Sequence, residues 1–177
     1  TNNPNYTVTV NNGDFEITAA TGAELNITNY SDVYDAEEHS IGVTNVIDGD
    51  TVYYSLTNNG TDWSTTKPMF TEVTPGTTVY VKVTNKNYAD RTGSGTVTIT
   101  PAPVTITVNN ASKVFGEDDP EFTGTVVGLI GSDSIGTVSY SRVGNDEEVG
   151  TYEDVLTASY TNNPNYTVTV NNGDFEI

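Results

Sequence analysis

The chain has 177 residues, no cysteine, one histidine, and a formal charge of −18 from 24 acids against six bases. So acidic a surface repels phosphate backbones and anionic headgroups, which argues against nucleic-acid and membrane-surface binding. The missing cysteines exclude disulfides and thiolate metal sites, and a single histidine excludes multi-histidine sites and histidine-based triads.

In chain order, the first element is an alternating run with Val8 and Val10 on one face, closed by a turn at Asn11-Asn12-Gly13. Turns come next at Asp48-Gly49-Asp50 and Asn58-Asn59-Gly60. Val79, Val81 and Val83 share a face, with Tyr80 and Lys82 toward water. Val97 with Ile99, and Val104 with Ile106 and Val108, repeat the pattern, and Gly144-Asn145-Asp146 marks a late turn. Strands recurring about every ten residues predict an all-β chain of two tandem, small, antiparallel β-sandwich (Ig-like) domains. Each would hold roughly six to eight strands by that spacing. The alternative is a pair of β-grasp-like modules, with a short helix best placed at Val127–Ser134 despite its glycines.

The strongest feature is a repeat. Residues 1–17 and 161–177 both read TNNPNYTVTVNNGDFEI, an offset of 160. Fainter echoes lie inside that period: Ile17-Thr18-Ala19-Ala20 with Ile99-Thr100-Pro101-Ala102, and Val33-Tyr34-Asp35 with Val114-Phe115-Gly116. Val52-Tyr53-Tyr54-Ser55 pairs with Val138-Ser139-Tyr140-Ser141, Pro75-Gly76 with Val149-Gly150, and Asn87-Tyr88 with Asn165-Tyr166. Two diverged modules in the order A-B-A-B explain them. The expected divisions are 1–17, the C-terminal strands of a preceding truncated repeat; 18–100, an Ig-like module A; and 101–177, module B. Thr100-Pro101-Ala102-Pro103 is a short, stiff linker that suits a rod. Residues 1–17 are expected either to exchange strands with another chain or to dock on module A.

Ser112-Lys113-Val114-Phe115-Gly116-Glu117-Asp118-Asp119-Pro120-Glu121-Phe122-Thr123 resembles the SKVYG-x-x-DP-x-LT pattern of MBG-type (YGX type) repeats in large bacterial adhesins. Phe115 stands in place of the usual tyrosine. Module A is similar to companion Ig-like repeats of those proteins, through Tyr34-Asp35-Ala36, His39 to Val43, Tyr54-Ser55, Trp63-Ser64, Pro68 to Phe70 and Val79 to Ile99. Ala36 replaces a glycine there. The resemblance implies an extracellular location, at the bacterial cell surface or cell wall. It also implies a structural stalk that projects a distal binding region, with neighbouring repeats of the same chain as partners.

No catalytic, cofactor-binding or metal-binding residue emerges, and the chain reads as a non-enzyme. His39, beside Glu37 and Glu38, reads as a strand-flanking surface residue. Asp48-Gly49-Asp50 and Glu117-Asp118-Asp119 are the two places where calcium enters as an alternative to a cofactor-free chain, though each reads more simply as a turn. Lys113 is a candidate for an isopeptide bond to an asparagine, against the simpler reading of a surface ion pair. Trp63 and the tyrosines are a candidate platform for host glycan or protein, against the simpler reading of Trp63 as a loop anchor.

Overall fold

A computed structural model describes residues 4–177, and among these it contains strands and no helix. Before Pro101 come β1 (Asn26–Thr28), β2 (Tyr30–Val33), β3 (Gly42–Thr44), β4 (Thr51–Ser55), β5 (Thr74–Asn85) and β6 (Tyr88–Thr100). After it come β7 (Ala102–Val108), β8 (Ala111–Ser112), β9 (Gly124–Val127), β10 (Ser139–Arg142), β11 (Thr151–Ser159), β12 (Tyr166–Asn171) and β13 (Gly173–Glu176). The first set forms a four-stranded sheet, β2-β6-β5-β4, facing the pair β1-β3; the second forms β10-β11-β13-β8 facing β12-β7-β9. None of these strand pairings crosses Pro101.

The period-2 runs build the core. Val79, Val81, Val83, Val97, Val104 and Ile106 are each at most 1% exposed. Burying such a side chain contributes about 1.5–3 kcal/mol. Tyr80 and Lys82, between the buried valines of β5, are only half-buried, and Lys82 Nζ lies over the rings of Tyr53 and Trp63. The region expected to hold a helix, Val127–Ser134, is instead the end of β9 and a loop. Gly128 and Gly131 there adopt φ of 110° and 56°, which no helix accommodates.

The sheets are not purely antiparallel. β7 runs parallel to β12, β8 to β13 and β2 to β6. In the C-terminal half the first and last strands cross together from one sheet to the other, β7 and β12 lying side by side in one and β8 and β13 in the next. Gly173 makes the crossing possible, because a Cβ there would sit 2.9 Å from the carbonyl oxygens of Val108 and Asn109. Gly95 holds the corresponding place in β6, under Ile27 and Ile41.

The N-terminal copy of the repeated segment does not form the expected strand. Residues 4–17 contain no strand, and Val8, Val10, Phe15 and Ile17 are all more than three-quarters exposed. They are therefore not docked on module A. Residues 1–3 of that copy lie outside the described residues.

Candidate functional site

The best-built polar site lies where the two halves meet. The carbonyl of Thr100 at the end of β6 accepts from the Tyr34 amide at 2.8 Å, and Ala102 at the start of β7 donates to Asn165 O at 2.9 Å. With Pro101 between two bonded residues, the connection has no slack. Tyr34 and Tyr166 are 5% and 4% exposed and meet edge to face, 5.6 Å between centroids. Both hydroxyls donate to Asp133 Oδ2, at 2.8 and 2.6 Å, and Tyr166 Oη also accepts from the Ile130 amide.

One carboxylate thus satisfies two buried phenols from opposite sides of the junction. Burial, then the bond to Asp133, pushes the Tyr34 hydroxyl up to about 12. The two phenolic donors, led by Tyr166, hold Asp133 below the usual aspartate value. Beside them Asn165, also buried, accepts from the Val73 amide at 3.0 Å and donates to the Glu72 carboxylate. The apolar core is continuous here: Tyr34, Ile99, Ala102, Ile135 and Tyr166 belong to one cluster.

A second constellation holds the far end of the C-terminal half. Lys113 Nζ lies 2.9 Å from Asp119 Oδ1 and also bonds Glu147. Arg142 bonds Glu147 at 2.6 Å, donates to the Asp146 carbonyl, and lies over the Phe175 ring. Its Nε is 3.0 Å from Asp119 Oδ2, an ion pair without hydrogen-bond alignment. The bonds from Lys113 and then Arg142 hold Glu147 below the usual glutamate value, and those from Glu147 and Asp119 raise Lys113. The side chains of both bases are over nine-tenths buried. This corrects the expectation of a surface ion pair for Lys113: its methylenes and those of Arg142 are covered, and two carboxylates meet the cationic heads. Lys113 faces carboxylates rather than an asparagine, so the isopeptide arrangement is not assembled.

The other candidates are used structurally. Asp50 accepts from the Ile47 amide and Asn85 and pairs with Arg91, and Asp119 is taken by Lys113 and Arg142. Among the described residues, no group of three or more histidine, cysteine or acidic side chains is placed to hold a metal ion. His39 is not simply a surface residue: it stacks on Tyr30 at 4.2 Å, pairs with Asp35, and its backbone bridges Phe70. Ser64, next to Trp63, exchanges both backbone bonds with Tyr54, so the loop is anchored at that point.

Asp133 was not singled out by the sequence. The one available signal was an isolated acid in the otherwise apolar and small-residue stretch Val126–Ile135.

These features define an all-β protein of β-sandwich type whose polar sites hold its own parts together. Residues 104–176 match the family model of the MBG domain (YGX type). That family is associated with repeat regions of bacterial surface proteins and is a structural, adhesin-type repeat rather than a known enzyme family. No curated protein matches the chain.

Proposed function

We propose that this chain is a stalk segment of a bacterial surface adhesin, displayed outside the cell at the surface or cell wall, projecting a distal binding region by repetition. The observation that carries the reading is the junction, where Asp133 and Asn165 tie the halves across a linker without slack. The 160-residue repeat and the association of the MBG family with surface-protein repeats support it. Neighbouring repeats are the natural partners, and residues 1–17 could enter another chain's β12–β13 slot by exchange, being identical to its occupant.

Small-angle scattering of the chain tests the stalk. An elongated profile fitted by one rigid arrangement of the halves is expected; a compact profile, or one requiring free hinge motion, would overturn it. The alternative is that the chain itself binds host glycan or protein at Trp63. Lys82 already lies over that ring, 5.1 Å from its centroid. A glycan array comparing the chain with Trp63→Ala separates the two readings.

A further inference from the structure

The two halves correspond in their polar ends as well as in their strands. Gly95 to Ile99 and Gly173 to Ile177 run in step, and the strand register extends the match outward. Ser31 lies opposite Thr98 and Ser112 opposite Glu176, so Tyr34, three residues on, corresponds to Phe115. Thr74 lies opposite Ile99, and Gly150 exchanges both backbone bonds with Ile177, so Glu72-Val73 corresponds to Glu148-Val149. At the opposite ends, Ala20 bridges Tyr88 in parallel as Ala102 pairs with Tyr166, and the Ala20 amide donates to Asn87 O as Ala102 does to Asn165 O.

Both halves thus carry the same two faces, but each face is covered only once. Tyr34, Glu72 and Val73 are covered by Asn165 and Tyr166. Their counterparts are open: Phe115 is 64% and Val149 76% exposed, while Asn87 is exposed and Tyr88 half-buried at the other end of the chain. At its first occurrence the segment TNNPNYTVTVNNGDFEI leads directly into residues 18–100, so a module of that kind is the natural successor to its second occurrence. Charge agrees: Lys86 stands exposed at the Asn85–Tyr88 hairpin tip, facing outward like Glu117 and Asp118 at the C-terminal end.

We propose that the C-terminal face of this chain, built on Phe115, Glu148 and Val149, docks onto Asn87 and Tyr88 of a second copy of residues 18–100. The Asn87 side chain accepts from the Val149 amide and donates to Glu148, as Asn165 does with Val73 and Glu72. Tyr88 covers Phe115. Phe115 has no hydroxyl, so this contact has one phenol to satisfy, that of Tyr88, where the Asp133 junction has two. The inference rests on the tandem-repeat stalk proposed for this chain and adds that both alternating junctions are bonded ones.

The test is a chain carrying the 160-residue period twice, joined through the shared 17 residues. In the present chain, Phe115→Ala and Asn87→Ala alter exposed side chains, and each should leave Tm within about 1 °C, which also shows that the variants fold. In the two-period chain, Phe115→Ala in the first period and Asn87→Ala in the second should each lower the first transition by about 3 °C or more, with the double variant less than additive. Two silent variants, or strictly additive losses, overturn the docking. Scattering of the present chain judges the stalk independently, because its junction at Asp133 involves neither substituted residue.

Discussion

Residues 4–17 and 164–177 have the same sequence and opposite fates. In the C-terminal copy Tyr166 and Phe175 are buried at 4% and 0%, and β12 and β13 pair with β7, β8 and β11. In the N-terminal copy Tyr6 and Phe15 are 72% and 89% exposed, without a strand. Propensity, alternation and turn residues are identical, so none of them decides the outcome. What differs is the slot: β7 beside β12, and β11 and β8 on either side of β13, supply the backbone partners. A strand here is a property of its neighbours as much as of its letters.

Substitutions made in parallel at the two copies would break or sharpen that contrast. Phe175→Ala removes a fully buried ring packed edge to face on Phe122, and should cost about 3–5 kcal/mol by denaturant unfolding; Phe15→Ala should change it by less than about 0.5 kcal/mol. Equal effects would mean that the N-terminal copy has a slot of its own. Gly173→Ala forces a methyl against two backbone carbonyls and should cost about 1–3 kcal/mol, whereas nothing lies within 4 Å of a Cβ at Gly13, whose substitution should be nearly silent. Asp133→Ala orphans two buried phenols and should lower Tm further than Tyr34→Phe, which removes only one; Tyr6→Phe should leave Tm unmoved.

The smallest effect is the pH response of the junction and of the Lys113–Arg142 cluster. Tyr34 is raised in the fold, so its contribution is complete below the ordinary tyrosine value of 10.0 and is lost as pH rises toward about 12. Asp133 and Glu147 are lowered, so theirs are present above 3.8 and 4.5 respectively and are lost as pH falls through the folded values. Melting curves across pH should show both flanks. Tyr34→Phe should flatten the alkaline flank and, by removing one of the two donors to Asp133, also weaken the acid flank to a smaller extent; an unchanged alkaline flank would deny Tyr34 that role.

Much of the architecture was legible because period-2 runs report burial directly. Val79, Val81, Val83, Val97, Ile99, Val104, Ile106 and Val108 are all core. The echoes between the halves also held at Asn87-Tyr88 with Asn165-Tyr166. They slipped by two positions at Pro75-Gly76, so that Val73 rather than Pro75 corresponds to Val149; the extra residue that a bulge between Thr74 and Thr77 places in β5 accounts for one of the two. The Asp133 junction was illegible for a different reason. Its acceptor comes from an irregular loop and its donors lie 99 and 33 residues away, so no local pattern links them. The parallel pairing of first and last strands was equally hidden, since alternation does not report strand direction.

That parallel pairing governs how the C-terminal half would carry mechanical load. β7 enters at Ala102 and β12 runs beside it in the same direction through six paired residues, from Tyr166–Ala102 to Asn171–Thr107. Tension drawn between the entry and exit of this half slides the two strands past one another. Every rung of the ladder then resists together, in shear, instead of opening one after another as a zipper would.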